Sequence, residues 1–433
     1  MYQGVRTDKN SIGYWIALGS IGLLVLYVGF STSARALPSA SLGGVALHGA
    51  TPIAASTLHR PLVGDQSLRG EIDLSRTQKR GDQLTVELAD GRKAILTLDP
   101  IIEQAAQDIL AVSGANRGAI AALDRDGRIL ALAGAGAKKK ALNYRLPTSV
   151  WAPAASIFKL VTSAALLEAG VKPSHRICYH GGFRSLDKSH LTDNAALDGD
   201  CHDLSYGLSR SQNAIIAKLS VRFLNRKRLS SVADRLGFSS APMFALDTER
   251  SRYKLPTEKL EFARVAAGFW SSEISVLGAA VTTATIARRG LSITPQIVSR
   301  VEGRHNVQRV LAVPGKRVLK RSVAKALGEM MVATCEVGTA KRGFRDLKGR
   351  KFLSGTKVAG KTGSLSVERP NYQGYSWFVG YAPADDPAVI VAVLLANPLK
   401  WRLKAHTAAR MLFEKALPRV KATERVAQKD LLN

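Results

Sequence analysis

Apolar positions fall into three kinds of run along the 433 residues. The first, residues 12–30, carries no charged side chain and is long enough to cross a bilayer as a helix. Tyr14, Trp15, Tyr27 and Phe30 stand toward its ends, and Arg6 and Lys9 precede it. The pattern predicts a transmembrane anchor with residues 1–11 in the cytoplasm and everything after residue 30 on the oxidising side. A cleaved signal peptide is the alternative, with Ser33-Ala-Arg-Ala36 a weak cleavage site. The second kind alternates with period two. Gln83–Leu88 and Lys93–Leu98 flank Asp90-Gly91, and Gly118–Asp124 and Arg128–Gly134 flank Asp126-Gly127, so both pairs read as hairpins. Val358–Leu365, Tyr375–Tyr381 and Ala388–Ala396 are strand-like runs near the end. The third kind is helical: 100–112 behind the cap Asp99 and Pro100, then 155–169, most of 204–236 and 256–290, and 403–416. Strands from both ends bracket a helical middle, which predicts one α+β domain whose sheet both ends complete.

The chain is organised around residues 149–170. After Pro153 the run is rich in Ala and Leu, has no interior Gly or Pro, and stops at Gly170. Ile157, Phe158, Leu160, Val161, Ala164, Leu166 and Leu167 cover nearly every face, so the helix is expected to be buried all round. Ser156 and Lys159 lie three apart in its first turns, on one face. A buried lysine is driven toward its neutral form, and a neutral amine beside a hydroxyl activates a serine nucleophile without histidine. The spacing alone is weak, because Ser185–Lys188, Ser251–Lys254, Ser322–Lys325 and Ser354–Lys357 repeat it. Only Ser156–Lys159 sits in an apolar run; its bland reading is a capping serine with a snorkelling lysine.

Composition narrows the partners. Lys+Arg 62 against Asp+Glu 34 gives a net charge of +28, which suits an anionic lipid surface or an acidic wall polymer. No zinc finger, helix-turn-helix or aromatic-basic platform appears, so nucleic acid is not the expected partner. The cations are dispersed except at Lys138–Lys140, as on any solvated basic surface. Cys178 and Cys201 lie in one polar, loop-like stretch, where a disulfide is the natural reading outside the cytoplasm. A zinc site through the adjacent His180 and His202, or two free thiols, are the alternatives. Cys335 reads as a small core residue.

Two further motifs single out Ser156. Ser211-Gln-Asn213 is the one Ser-x-Asn in the sequence, and Lys361-Thr-Gly363 is the one Lys-Thr-Gly, at the start of a predicted strand. Serine-lysine helix, Ser-x-Asn loop and Lys-Thr-Gly strand, in that order, resemble the penicillin-binding protein transpeptidase family, a monofunctional, class B-like branch of the serine β-lactamase and D,D-peptidase superfamily. The resemblance runs over about residues 95–416 and includes Arg264–Gly268, Gly338-Thr-Ala340 and Tyr375–Pro383.

The resemblance implies a β-lactamase/transpeptidase-like fold: a five-stranded antiparallel sheet with flanking helices and an all-helical lobe carrying Ser156 and Ser211. The expected layout is a cytoplasmic N-terminus (1–11), the anchor (12–30), a linker and small β stalk (31–95), the transpeptidase domain (96–416) and a charged tail (417–433). The strands before residue 95 belong either to that stalk or to the main domain. By the same resemblance Ser156 is the nucleophile, Lys159 its base, Ser211 a proton carrier to the leaving group, Asn213 a holder of Lys159 and substrate, and Lys361 a source of positive potential. Thr362, Gly363 and Ser364 would bind substrate, and the N–H groups of Ser156 and Ser364 would form an oxyanion hole. No cofactor or metal is implied. The expected partners are peptidoglycan stem peptides ending in D-Ala-D-Ala, β-lactams, the inner membrane and other wall-synthesis proteins. A D,D-carboxypeptidase, a serine β-lactamase or β-lactam sensor, and a non-catalytic wall-binding scaffold are the alternatives. Two departures stand out: Ala154-Ala155 precede the nucleophile where the family commonly has Pro-Gly, and Ser364 replaces a threonine.

Overall fold

Alternation in the two ends of the chain produces one sheet. β1 (Arg117–Asp124) and β2 (Ile129–Ala135) form the hairpin around Asp126-Gly127. β3 (Ala359–Val367), β4 (Gln373–Ala382) and β5 (Val389–Asn397) form a meander. The order is β3-β4-β5-β1-β2 with every neighbouring pair antiparallel, which is the expected five-stranded sheet. These elements come from a computed structural model that describes residues 60–136, 143–368 and 372–430, with side chains as far as 423. The expected cytoplasmic segment, anchor and linker up to residue 59 lie outside the described residues, as do Lys138–Lys140. Among the described residues no helix is long and apolar enough to cross a membrane.

The central strand shows why the sheet needs cover on both faces. All nine residues of β5 are buried. Val389, Val391, Val393 and Leu395 enter one core with Ile102 and Ala106 of α1 (Pro100–Val112) and Leu412 and Phe413 of α9 (Ala405–Asp430). Ile390, Ala392 and Leu394 enter the other core, shared with the helical lobe. Each fully buried Val, Leu or Ile contributes about 1.5–3 kcal/mol, so two-sided burial makes this strand a main source of cohesion. Asp99 caps α1 by accepting from the N–H groups of Ile101 and Ile102, and also accepts from Arg419 of α9. The helix expected to end at 416 continues through the expected charged tail to Asp430, because Leu417 and Val420 extend its buried stripe past Pro418.

The lobe is built from α2 (Lys159–Glu168), α3 (Leu204–Ser209), α4 (Asn213–Phe223), α5 (Arg226–Arg235), α6 (Lys259–Ala266), α7 (Val276–Ala287) and α8 (Arg321–Glu336). It is not purely helical: Arg176–Tyr179 pairs with Asp200–Asp203, and Arg252–Tyr253 with Ser272–Glu273. The single helix expected over 155–169 is a 3-10 turn, Ala155–Phe158, leading into α2. Its burial is as predicted, with Lys159 through Leu166 all inside, and Gly170 ends it in the left-handed region at φ 90°.

The hairpin at Asp90-Gly91 is joined to later chain rather than standing apart. Its strands, Gln83–Glu87 and Lys93–Leu96, form a second, six-stranded sheet with Gln78–Arg80 on one side and Val298–Glu302, Val307–Leu311 and Leu62–Val63 on the other. Buried Asp65 fastens its edge by accepting from the N–H groups of Ala245, Ile297 and Val298.

Cys178 and Cys201 face each other across the first short ribbon and are joined by a disulfide, so neither sulfur is left for a metal. The bond closes a sequence separation of 23 residues. Replacing both cysteines by serine is expected to lower the unfolding free energy by about 3 kcal/mol, the cost of freeing a loop of that size. Denaturant titration of the oxidised protein and the variant measures it; equal midpoints would contradict it.

Candidate active site

The turn that presents Ser156 is clamped from several sides. Ala154 N–H donates to the Ser272 carbonyl at 2.8 Å, and the Trp377 indole donates to the Pro153 carbonyl at 2.9 Å. Ala155 is held at φ 51°, a left-handed conformation that costs a non-glycine residue about 1–2 kcal/mol. A side chain on Gly268 would place its Cβ 2.5 Å from the Ala155 carbonyl oxygen, so only glycine lets that segment lie against the turn. The clamp explains how Ala155 occupies the position where glycine is usual: its surroundings over-determine the backbone.

Three parts of the chain bring acceptors to Lys159, two of them side chains and one a backbone carbonyl. Its Nζ donates to Ser156 Oγ at 2.9 Å, to Asn213 Oδ1 at 2.6 Å and to the Ala267 carbonyl at 2.5 Å. Asn213 is the first residue of α4, and its Nδ2 donates to the Phe183 carbonyl at 2.8 Å. Ser211, also left-handed at φ 57°, ends the turn after α3 and receives the Lys361 ammonium at 3.0 Å on its Oγ. Lys361 lies on β3 and also donates to the Thr362 carbonyl. Both lysines are completely buried, and among the described residues neither forms an ion pair. Loss of hydration, and then the like charge of Lys361, hold Lys159 well below the usual lysine range. Burial pushes Lys361 down to about 7.

β3 is an outer strand of the sheet, so its free edge offers unpaired backbone groups. Thr362 is half-buried, with its hydroxyl 2.5 Å from that of Thr339. A Cβ on Gly363 would meet the Ala155 Cβ at 3.3 Å, so the strand passes directly beside the turn that carries Ser156. Ser364 is exposed. The structure thus brings Ser156, Lys159, Ser211, Asn213 and Lys361 into one connected hydrogen-bonded cluster, with residues 362–364 on the adjoining strand edge. Ser185, Ser251, Ser322 and Ser354 take no part in it. The carbonyls of Ala267 and Phe183 and the Thr339 hydroxyl complete the cluster. Backbone carbonyls carry no residue-type signal; only the family-like stretches Arg264–Gly268 and Gly338-Thr-Ala340 hinted at two of them.

A family model, Penicillin binding protein transpeptidase domain, matches residues 118–417. The chain belongs to the penicillin-binding protein transpeptidase family. Among its relatives is peptidoglycan D,D-transpeptidase PbpA of Mycolicibacterium smegmatis, 25% identical over 382 residues, which span 77% of this chain and 73% of the relative. Another is the probable peptidoglycan D,D-transpeptidase PenA of Neisseria flavescens, 25% identical over 71% of this chain and 77% of that one. Penicillin-binding protein A from M. tuberculosis, solved as a ceftriaxone acyl-enzyme complex, superposes with a TM-score of 0.63 at 23% identity, covering 76% of this chain and 80% of that one. That likeness supports the transpeptidase fold.

Within this family the two buried lysines make a direct test. NMR titration of isotopically labelled lysine side chains should show Lys361 changing charge near pH 7. In Lys361→Met the Lys159 titration should move to higher pH, because the like charge that depresses it has gone. Two lysines titrating at the ordinary value, or a Lys159 indifferent to residue 361, would contradict the electrostatics.

Proposed function

We propose that this chain is a membrane-anchored peptidoglycan D,D-transpeptidase that cross-links stem peptides through an acyl-enzyme on Ser156. The observation that carries it is Lys159 Nζ, buried with no counter-ion among the described residues, 2.9 Å from Ser156 Oγ. In its neutral form this amine takes the hydroxyl proton as Oγ attacks the carbonyl between the two terminal D-alanines. Asn213 Oδ1 and the Ala267 carbonyl accept from the ammonium that results. The N–H groups of Ser156 and Ser364 receive the developing oxyanion.

As the carbon–nitrogen bond breaks, Ser211 Oγ delivers a proton to the departing D-alanine nitrogen and is reprotonated at the expense of the Lys159 ammonium, which returns to its neutral form. Lys361 beside Ser211 stabilises the charge that develops there. An acceptor amine then attacks the ester, the neutral Lys159 takes the amine's proton, and it returns that proton to Ser156 Oγ as the ester breaks. The free edge of β3 suits an extended peptide, with Gly363 keeping the approach open and the hydroxyls of Thr362 and Ser364 meeting its terminal carboxylate. A β-lactam mimics this peptide, but its ring nitrogen stays tethered after opening, so the acyl-enzyme persists. The activity named for the PbpA and PenA relatives supports the reading.

The apolar run at 12–30 supports a single-pass anchor in the inner membrane with the transpeptidase domain outside the cytoplasm, where the Cys178–Cys201 disulfide is stable. Other wall-synthesis proteins are the natural neighbours there.

Fluorescent penicillin should label the full chain stably, and Ser156→Ala should abolish labelling with no change in fold. Lys159→Ala should slow acylation about 100- to 10,000-fold, the usual contribution of a general base. Labelling that maps to another serine would overturn the assignment; rapid turnover of the label would favour a β-lactamase, and no labelling a scaffold. Separately, the protein should stay with membranes through salt and carbonate washes and need detergent for release. A mature N-terminus near residue 37 by mass spectrometry would replace the anchor with a signal peptide.

A further inference from the structure

α4 carries a third buried lysine, which the proposed chemistry does not use. Lys218 is fully buried, five residues beyond Asn213 on the same helix. It donates to the Cys178 carbonyl at 2.9 Å and to Asp198 Oδ2 at 2.6 Å, with Asp193 Oδ1 at 3.5 Å. Asp198 is itself 5% exposed and also accepts from Asn194 N–H at 3.0 Å and meets His180 Nδ1 at 2.5 Å. Every one of these partners belongs to the segment that the disulfide closes.

Just after Cys178 the chain folds onto the start of α4. Gly181 and Gly182 are both left-handed, at φ 48° and 64°. A Cβ on Gly182 would stand 2.6 Å from the Ala214 Cβ, so the backbone rests directly on the first turn of the helix. The next carbonyl, Phe183, takes the Nδ2 hydrogen of Asn213. An amide committed to that donation has its oxygen, not its nitrogen, turned to Lys159. A rotated amide would instead aim two N–H donors at an amine that needs acceptors.

We propose that Lys218 and Asp198 are positioning residues: their buried ion pair holds the 178–198 segment on α4, so that the Phe183 carbonyl sets the orientation of the Asn213 amide facing Lys159. The inference rests on the reading of Asn213 and Lys159 as members of the acylating machinery. A charge pair rather than an apolar contact suits this task, because it has one satisfied geometry and a large penalty for leaving it.

The test is a double-mutant cycle on the detergent-solubilised full chain, following the rate and the final amplitude of fluorescent-penicillin labelling. Asp198→Asn should slow the limiting acylation rate about tenfold while labelling still runs to full amplitude. In an Asn213→Ala background it should slow acylation no further, within about twofold. Gly182→Ala, which lifts the Phe183 carbonyl from α4 without touching the ion pair, should show the same lack of additivity. A lower melting temperature with reduced amplitude and an unchanged rate would mean a purely structural pair, and would overturn the proposal. So would slowing that multiplies with that of Asn213→Ala. If Asn213→Ala itself acylates at the wild-type rate, the role given to Asn213 fails first and takes this inference with it.

Discussion

Lys159 sits where three parts of the chain converge, fully buried and, among the described residues, with no carboxylate to neutralise it. Its three acceptors come from its own turn, from α4 and from the chain after α6. Burying an ammonium is costly, and the fold meets that cost by making the neutral form accessible while supplying acceptors for the charged one. The same environment therefore stabilises the packing of α2 and sets its chemistry. Lys361, buried on β3 with no counter-ion among the described residues, adds a repulsion that keeps Lys159 low. The two lysines couple the helical lobe to the sheet through electrostatics as well as packing.

Backbone strain is the other constraint. Ala155 and Ser211 both hold left-handed conformations that glycine would adopt more easily. Each precedes or carries a hydroxyl of the cluster, and each is locked by neighbours: the turn before Ser156 by Ser272, Gly268 and Trp377, and Ser211 by the end of α3 and by Lys361. Ala155 in place of the usual glycine narrows the conformations open to the unfolded chain at that point, and its methyl fits because Gly363 lies opposite. The Pro-Ala-Ala sequence thus preserves the presentation of Ser156, which weakens the case for a non-catalytic scaffold.

Much of this was legible in the sequence because the signals were local. Alternation around Asp126-Gly127 and in the last three strands marked the main sheet, and Asp99-Pro100 marked the start of α1. The order of Ser156–Lys159, Ser211-Gln-Asn213 and Lys361-Thr-Gly identified the cluster before any geometry was known. What escaped was non-local or backbone-borne. Val298–Glu302 and Val307–Leu311 were not read as strands, since Arg300 and Arg309 interrupt a pattern whose pairing partners lie some two hundred residues earlier at Lys93–Leu96 and beyond. The 3-10 turn at Ser156 looks helical in side-chain periodicity. The helix beyond 416 was hidden by Pro418 and a rising density of charge. The carbonyls of Ala267 and Phe183 belong to no residue-type pattern at all.

The central claim is that Ser156 passes an acyl group from one stem peptide to the amine of another. Mass spectrometry after incubating the full chain with a donor stem peptide ending in D-Ala-D-Ala and an amine acceptor reads that transfer. The account predicts a cross-linked product lighter than the sum of its parts by one D-alanine, with free D-alanine released in equal amount and both absent from Ser156→Ala. Release of D-alanine with only the hydrolysed donor would make the enzyme a carboxypeptidase, and no release from the wild-type chain would contradict the account outright.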